Sequence, residues 1–322
     1  NGLLDGFKYS VLSADYGAVS LKNKQGKLFK NSSIAWNVIE ASQADNGFTV
    51  LLEGQGSKEG QLYAYSTDQF GKILQGSGWV EASTALELGW EAKVNVDLNS
   101  DGLLLGGTNV LLKGQYGPVA LTASNGTSFK AVNSSWEAVK AVQTQAGYDL
   151  LIKGKGKNIG SSYVFNADDT GVVTGNSGWL SNPVAVSSGL EAKFIVDIDS
   201  NGLQDGADYV QLFSDSGSVA VLKAEGKALY SQNNNWKAVA AKQADGAFEV
   251  LLEGKNTNLG KSYVFYTDAD GNVTEGTGWI IDESAEGQDI KAGFGALTGT
   301  ASVSNLALDL FGISEGEQMD LI

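Results

Sequence analysis

The chain has 322 residues and a formal net charge of −15 at pH 7, and it contains neither His nor Cys. All 22 of its basic residues are Lys, because no Arg occurs anywhere in the sequence. Without His or Cys the chain cannot form a serine-type triad with His, a thiol nucleophile, or the usual zinc and haem sites. The acidic charge and the lack of Arg argue against nucleic acid as a partner.

The length of the chain predicts two or three domains, each large enough to bury a core. Its apolar runs are too short to cross a bilayer as a helix, so we expect no membrane-spanning segment. The chain begins with Asn rather than Met, and we therefore expect a processed chain or a fragment.

Identical residues recur along the chain at intervals of one hundred. The recurring positions are Trp36, Trp136 and Trp236; Trp79, Trp179 and Trp279; Gly54, Gly154 and Gly254; Tyr63, Tyr163 and Tyr263; and Asp68, Asp168 and Asp268. Spacing this strict indicates either a recent duplication or copies that must keep a fixed register. We predict a first repeat at residues 1–100, a second at 101–200, a third at 201–290, and a divergent tail at 291–322.

Each repeat carries strand and turn patterns. In the first repeat, residues 48–52 and 62–65 are rich in aromatic and branched apolar side chains, which predicts strands, and equivalent segments follow in the other two. An Asp-x-x-Gly sequence comes next, from Asp68 to Gly71 in the first repeat, and this favours a type I turn over a cation site. Frequent turns and only 2 Pro residues predict a mainly β fold of sandwich or barrel type.

A weaker similarity exists inside each repeat. Residues 11–36 resemble residues 50–79, and the two stretches end at Trp36 and Trp79. We therefore expect two related halves of three or four strands in every repeat. Six such halves could close into one propeller or pair into three successive β domains. We favour three domains, because the acidic loop described below occurs once per full repeat.

A short helix is predicted before residue 97, with Ser83 or Thr84 as its N-cap. Gly89 is unfavourable in the interior of this helix. In the second repeat, Pro183 would lie in the first turn, where proline is well tolerated. The same element is therefore expected ahead of residue 197.

Acidic loops follow the predicted helices. Residues 97–103 are Asp-Leu-Asn-Ser-Asp-Gly-Leu, and residues 197–203 are Asp-Ile-Asp-Ser-Asn-Gly-Leu. Oxygen side chains at positions 1, 3 and 5, Gly at 6 and a carbonyl at 7 are typical of an EF-hand calcium loop. The following residues do not favour the second helix of an EF-hand. The alternative interpretation is an Asx-rich turn between two domains.

The two loops differ in their number of candidate ligands, because the second has carboxylates at loop positions 9 and 12 where the first has Leu105 and Thr108. The candidate Ca²⁺ ligands are Asp97, Asn99, Asp101 and the Leu103 carbonyl in the first loop, and Asp197, Asp199, Asn201, Asp205, Asp208 and the Leu203 carbonyl in the second. The residues Asn1, Gly2 and Leu3 match the end of such a loop. This match also suggests that the chain was cut from something longer.

These patterns together resemble the tryptophan-rich repeats of cyanobacterial secreted proteins. The matching residues are Trp136, Ala138, Val139, Ala141 and Gln143; Gly147, Tyr148 and Leu150; Asp168 and Gly171; and Glu91, Val94, Val96, Asp97, Leu98, Asn99, Asp101 and Gly102. The family's repeat border usually has Phe where this chain has Val94, although Phe194 restores it, and Gly where it has Ser100 and Ser200. In the third repeat no Asp loop follows Phe294.

The resemblance covers most of residues 1–290 and implies an exported protein of the surface-layer or haemolysin-like kind. It implies calcium-linked repeats and a location outside the cell or on its surface. It does not imply any particular reaction. These properties are expectations that come from the resemblance alone.

The tail differs from the three repeats. Leu306, Leu308 and Leu310 alternate with polar or small residues, which predicts a strand with one apolar face. This strand is expected either to cap the last repeat or to join a neighbouring subunit by β-augmentation. Head-to-tail joining of that kind would propagate into a filament or lattice.

We predict a non-catalytic, extracellular structural protein, in which Ca²⁺ stiffens the repeats of a surface layer, sheath or filament. The repeated carboxylates Asp68, Asp168 and Asp268 lie in turns rather than facing one another across a cleft, which argues against glycosidase chemistry. The alternative is a multivalent carbohydrate-binding or adhesion protein, because exposed Trp and Tyr rings stack on sugars. The regular spacing of the Trp residues favours a packing role for them.

Overall fold

The computed structural model describes residues 3–4, 9–13, 17–29, 35–115, 117–214 and 217–295. The fold is mainly β and contains three similar units of about 100 residues. Each unit combines a small sheet of short strands with a five-stranded sheet. The mainly β prediction and the prediction of three repeated units are thus confirmed.

The first repeat places its small sheet before the large one and its helices last. The small sheet consists of β1 (Leu3–Leu4), β2 (Ser10–Ser13) and β3 (Gly17–Ser20). The large sheet consists of β4 (Trp36–Ala44), β5 (Gly47–Gly54), β6 (Gln61–Asp68), β7 (Ile73–Gly76) and β8 (Val80–Glu81). Helices α1 (Ala82–Glu87) and α2 (Trp90–Val94) follow.

The second repeat has the same order of elements. Its small sheet consists of β9 (Leu111–Gly114) and β10 (Gly117–Ala120). Its large sheet consists of β11 (Trp136–Thr144), β12 (Gly147–Gly154), β13 (Ser161–Ala167), β14 (Val173–Asn176) and β15 (Leu180–Ser181). Helices α3 (Asn182–Ser187) and α4 (Leu190–Phe194) come next.

The described part of the third repeat, which reaches residue 295, ends in one helix instead of two. Its short strands are β16 (Gln211–Phe213), β17 (Val219–Val221), β18 (Lys223–Ala224) and β19 (Lys227–Ala228). The large sheet consists of β20 (Trp236–Ala244), β21 (Ala247–Gly254), β22 (Lys261–Thr267), β23 (Val273–Gly276) and β24 (Ile280–Ile281). Helix α5 (Ala285–Gly293) follows it.

The large sheet of the first repeat is covered on both faces, which explains the unbroken apolar run of its second strand. Val50 and Leu52 pack into a core with residues of the small sheet such as Val11. Leu51 points to the other face and packs against Trp90 and Val94 of α2. Because successive side chains of a strand alternate between faces, a strand that is buried on both sides needs apolar residues at every position.

The Asp-x-x-Gly sequences form the predicted turns. The Gly71 N–H donates to the Asp68 carbonyl over 3.0 Å, and Asp68 Oδ1 accepts the N–H groups of Phe70 and Lys72, each over 2.9 Å. The equivalent bonds recur at Asp168 and Asp268. These carboxylates therefore act as Asx-turn acceptors, and the turn prediction is confirmed.

The helix before the first loop differs from its prediction in start and continuity. Helix α1 begins at Ala82 with Glu81 at the N-cap, so neither Ser83 nor Thr84 caps it. Gly89 has a φ of 67° and separates α1 from α2, because a left-handed residue cannot continue an α-helix. Pro183 does lie in the first turn of α3, as predicted.

Each repeat is built on more than one sheet, but the described strands are not divided into the predicted halves of three or four strands. The small sheet has only two or three strands in the first and second repeats, whereas the large sheet has five. Trp36 does not close the first half but opens the first long strand of the large sheet. The recurrence of Trp therefore reflects packing around that sheet rather than two equal halves.

Contacts within the chain group into two compact units, residues 1–180 and 181–322. The first loop lies within the first of these units, and the second loop lies within the other. Among the described residues, no helix has the length and apolar character that a membrane crossing requires. The predicted tail strand at residues 306–310 and the residues Asn1 and Gly2 lie outside the described residues.

Candidate metal centre

The second loop runs from α4 to β16, and its side chains fold it into a tight turn. Asp197 accepts the Asn201 N–H through Oδ1 over 3.1 Å and the Gly202 N–H through Oδ2 over 2.8 Å. Asp199 Oδ1 accepts the Asn201 N–H over 3.2 Å, and Asn201 Oδ1 accepts the Leu203 N–H over 2.7 Å. Positions 1, 3 and 5 therefore direct their oxygens towards the inside of the loop.

The loop is fixed to the large sheet of the third repeat. The Ala241 N–H donates to the Asn201 carbonyl over 2.8 Å, next to a β-bulge between Ala238 and Ala240 in β20. Gly202 has a φ of 78°, and a Cβ atom there would overlap the Ala241 carbonyl oxygen. Position 6 of this loop therefore requires glycine for its backbone conformation and for space.

A buried glutamate from the preceding helix holds the loop from the other side. Glu191 of α4 is 0% exposed. Its Oε1 accepts the Ile198 N–H over 2.7 Å, and its Oε2 accepts the Asp205 N–H over 2.8 Å. Sequence reasoning missed this residue as part of the site, because glutamate in a short helix is normally exposed to solvent.

Three carboxylates meet at this loop. Glu191, Asp197 and Asp199 each offer an oxygen, and these oxygens lie within 4.8 Å of one another. Burial raises the pKa of Glu191 from 4.5 to about 7; the bonds from Asp205 and Ile198 oppose this shift, whereas the charges of Asp199 and Asp205 add to it. Burying such a cluster is unfavourable unless a proton neutralises one carboxylate or a cation balances the negative charge.

Asp205 lies near the cluster, whereas Asp208 is not among the carboxylates that meet there. Asn201 Nδ2 donates to Asp205 Oδ2 over 3.3 Å, which brings loop position 9 to the loop. Asp208 is not one of the three residues whose carboxylates meet, and its carbonyl accepts the Ser231 N–H over 3.0 Å. Position 12 of an EF-hand lies in an exiting helix, but here the chain continues towards β16.

The Leu203 carbonyl, the predicted backbone ligand, lies at an isolated β-bridge with Leu212. The two hydrogen bonds of this bridge run from Gln204 N to the Gln211 carbonyl and from Phe213 N to the Gly202 carbonyl. Neither bond uses the Leu203 carbonyl. The hydrogen bonds of this bridge therefore do not prevent the Leu203 carbonyl from acting as the ligand at loop position 7.

The first loop has the same framework with fewer carboxylates. Asp97 accepts the N–H groups of Asp101 and Gly102 over 3.1 and 2.9 Å, and Asn99 Oδ1 accepts the Asp101 N–H over 3.1 Å. Asp101 Oδ1 accepts the Leu103 N–H over 2.7 Å. This loop does not form a group of three meeting carboxylates within the described residues, since position 3 is Asn and position 9 is Leu.

Glu91 occupies the place in the first loop that Glu191 occupies in the second. It is 0% exposed, and it accepts the Leu98 N–H over 2.7 Å and the Leu105 N–H over 2.9 Å. Burial raises the pKa of Glu91, and backbone bonds from Leu105 and Leu98 oppose the shift. The recurrence of Glu at positions 91 and 191, each six residues before an Asp loop, is the sequence signal that could have identified both.

The third repeat has a lysine at the equivalent position. Lys291 Nζ forms an ion pair with Asp282 Oδ2 over 2.7 Å, and Asp282 Oδ1 accepts the Ser262 hydroxyl over 2.7 Å. The ion pair lowers the pKa of Asp282 against the opposing effect of burial. The third repeat therefore places a side-chain ion pair where the other two repeats bury a glutamate, and residue 297, the counterpart of Asp197, is Leu.

The second loop borders a cleft of about 590 Å³. Asp199, Asn201 and Asp205 line it together with Lys237 and Glu253. These three loop side chains therefore border open space, and one basic residue, Lys237, lines the same cleft. A cation could enter the cluster by this route.

The repeated tryptophans pack with aromatic residues of their own repeats. Trp36, Trp136 and Trp236 border the cores of the three large sheets. The second set makes edge-to-face contacts, with ring centroids 5.3 Å apart for Trp79 and Tyr63 and 5.4 Å apart for Trp279 and Tyr263. The packing role predicted for these residues is confirmed, although Trp179 keeps 40% of its surface exposed.

A comparison with protein-family models gave no match, and a search among curated proteins gave none either. The geometry of the loops therefore carries the functional argument.

Proposed function

We propose that the chain is an extracellular, non-catalytic structural protein whose acidic loops bind Ca²⁺ and stiffen successive repeats of a surface layer, sheath or filament. The proposal depends mainly on the buried carboxylate of Glu191, which shares its surroundings with Asp197 and Asp199. Burying one charged carboxylate beside two others costs several kcal/mol unless a cation compensates it.

The chemistry of the donor set fits a hard cation. All the candidate ligands at the second loop offer oxygen, with carboxylates at Glu191, Asp197, Asp199 and Asp205 and an amide at Asn201. Six to eight oxygens in an irregular arrangement suit Ca²⁺ better than Mg²⁺, which demands a regular octahedron. The first loop has fewer carboxylates, so we expect it to bind Ca²⁺ more weakly.

A bound ion would connect three elements of the protein. Glu191 belongs to α4, the loop carries the remaining ligands, and the Asn201 carbonyl is bonded to β20 through Ala241. An ion that binds only the folded state adds about 2.7 kcal/mol of stability when its concentration is one hundred times its dissociation constant. The joint between the helix and the following sheet would then resist bending.

The extracellular location and self-association follow from the same chemistry. Extracellular calcium modules bind in the range of about 0.1 to 1 mM, and the affinity of such loops is set by the charge of the ligands and the rigidity of the site. Neutralising part of the net charge of −15 would let copies of the chain approach one another. The chain supplies no His or Cys for catalysis, and its clustered carboxylates already accept backbone N–H groups.

Multivalent carbohydrate binding through the tryptophans is the alternative function. Its support is the partial exposure of rings such as Trp179. The edge-to-face packing of these rings against Tyr63, Tyr163 and Tyr263 occupies part of the surface that a sugar would need. We therefore favour the structural role.

The test is calcium titration by calorimetry together with thermal unfolding and small-angle scattering, each with and without a chelator. We expect the native chain to bind two Ca²⁺ ions, and each of the variants Asp197→Asn and Asp97→Asn to bind one. The site lost in Asp197→Asn should be the tighter of the two. Chelation should lower the unfolding temperature and broaden the scattering profile. Unchanged melting and scattering in chelator, together with no heat of binding, would exclude calcium stiffening.

A further inference from the structure

The third repeat carries two tyrosines whose rings lie close together at its surface. The ring centroids of Tyr209 and Tyr230 are 4.7 Å apart, and the ring planes make an angle of 32°. The two hydroxyl oxygens lie 3.4 Å apart, which is less than the separation of the centroids. The rings therefore converge at their hydroxyl ends. Tyr230 is 58% exposed, so small molecules in the solvent have access to its ring.

The backbone holds the two side chains in this position. Tyr209 and Tyr230 face each other across an isolated antiparallel bridge. The hydrogen bonds that frame this bridge join the neighbouring residues, from Val210 N–H to the Leu229 carbonyl over 2.9 Å and from Ser231 N–H to the Asp208 carbonyl over 3.0 Å. The tyrosines thus form the non-hydrogen-bonded kind of pair, in which opposite side chains lie closer than in the hydrogen-bonded kind.

The fold does not require tyrosine at these two positions. The equivalent bridge in the second repeat joins Asn109 and Lys130, and Lys130 Nζ donates to Asn109 Oδ1 over 3.1 Å. A polar pair therefore forms the same backbone contact. The two phenols of the third repeat thus add a chemical property that the bridge itself does not need.

A tyrosine pair in the first repeat has the same ring separation in a different environment. The centroids of Tyr63 and Tyr65 are also 4.7 Å apart. Both rings pack against the core of their repeat, and Tyr63 contacts Trp79 edge-to-face. The pair in the third repeat combines this short separation with an exposed ring, and the two pairs therefore differ in their access to solvent.

We propose that Tyr209 and Tyr230 are a site of oxidative cross-linking, at which a peroxide acting through a haem peroxidase joins the two rings as dityrosine. Removal of one hydrogen atom from each hydroxyl group gives two phenoxyl radicals. The unpaired electron of each radical is shared between the oxygen and the ring carbons ortho to it. These carbons lie at the convergent ends of the rings, where the two radicals combine in one C–C bond.

The step is balanced in atoms and electrons. Each ortho carbon that enters the new bond gives up its hydrogen, and the oxygen of the same ring regains one, which restores both aromatic rings and both hydroxyl groups. The chain as a whole loses two hydrogen atoms, and one molecule of hydrogen peroxide takes them up as it is reduced to two molecules of water. The chain has no Cys, and therefore no thiol of its own that would reduce a tyrosyl radical first.

The cross-link would stabilise the third repeat covalently. It closes the chain between residues 209 and 230, which lowers the entropy of the unfolded state as a disulfide does. A chain without Cys cannot form a disulfide, so a tyrosine pair is a covalent link that remains open to it. We therefore expect the oxidised chain to unfold several degrees above the untreated chain.

The experiment treats the full chain with hydrogen peroxide and a haem peroxidase in the presence of chelator, so that its outcome does not depend on the calcium centre. Trypsin then cuts after lysine and places the two tyrosines on separate peptides, residues 194–223 and 228–237. We expect the fluorescence of dityrosine and a mass spectrum in which these peptides are joined with the loss of two hydrogen atoms. When isotopically labelled and unlabelled chains are mixed, each joined pair should carry one label state, because both rings belong to one chain.

The matched variants are Tyr209→Phe and Tyr230→Phe, which keep the ring but remove the hydroxyl group. Both should fold, which circular dichroism checks, and both should lose the joined peptides and the rise in unfolding temperature on oxidation. The peptide of residues 59–72, which contains Tyr63 and Tyr65, should lose hydrogen in much lower yield. The proposal is overturned if the native chain gives no joined peptides, if these mix the two label states, or if peptide 59–72 is the one oxidised in higher yield.

Discussion

The buried carboxylate of Glu191 allows a quantitative test of the metal centre through pH. Its pKa is about 7 in the folded chain, against an ordinary value of 4.5. Between these two pH values the folded state holds a proton that the unfolded state releases, so stability must fall as pH rises through this range. A difference of about 2.5 pKa units corresponds to at most about 3.4 kcal/mol, fully retained below pH 4.5 and lost as the pH rises through 7.

The assay is amide hydrogen exchange of the segment 190–206, measured from pH 5 to pH 8 in chelator and in Ca²⁺. In chelator, the native chain should lose protection with rising pH after correction for the intrinsic exchange rate, and Glu191→Gln should lose less. Calcium displaces the proton and compensates the charge, so its stabilising effect should grow with pH and should be small in Glu191→Gln.

The matched control is Asp208→Asn, which removes an exposed carboxylate from the same segment of chain. It should leave both the pH profile and the calcium effect unchanged, because Asp208 is not among the carboxylates that meet at the loop. Parallel pH profiles for the native chain and Glu191→Gln would refute the burial argument. An equal calcium effect in the two chains would refute the ligand role of Glu191.

Two further substitutions test the packing on which the site depends, and both are measured by thermal unfolding. Gly202→Ala should destabilise the chain by more than the roughly 1–2 kcal/mol of a left-handed alanine, because its Cβ would also overlap the Ala241 carbonyl oxygen. The control is Gly226→Ala, because Gly226 has a similar φ of 74° and open space around the added Cβ atom. Equal losses of unfolding free energy in the two variants would contradict the close approach of Gly202 to Ala241. Leu251→Ala should cost about 2–5 kcal/mol, because this side chain is 1% exposed in the core under α5. Leu259→Ala, at 78% exposed, should be close to neutral.

The strands and turns were predictable because their signals are local. A strand segment buried on both faces, such as residues 250–252, needs apolar residues in succession, and the Asp268 turn is encoded within four residues. The acidic loops were predictable in outline for the same reason, since positions 1, 3, 5 and 6 are close in sequence. The sequence therefore indicated which residues form the loop framework.

The parts of the site that were not predictable depend on tertiary structure. Glu191 lies six residues before its loop, and only the packing of α4 brings it there. Asp208 was chosen as a ligand from its spacing at loop position 12, but the carboxylates that meet at the loop do not include it, and its backbone carbonyl bonds Ser231. A short motif determines the conformation of its own turn, whereas the residues that pack against that turn are determined by the tertiary fold.

In the first two repeats the buried glutamate occurs together with an acidic loop. Glu91 and Glu191 each precede an acidic loop and each accept two of its backbone N–H groups. In the third repeat the loop sequence is missing, and a helix still forms with Lys291 in the equivalent position. If the glutamate were needed for helix packing, the third repeat would retain it. Glutamate occurs at this position only in the two repeats where an acidic loop follows. We therefore propose that the ion bound by the loop offsets the free-energy cost of burying this carboxylate.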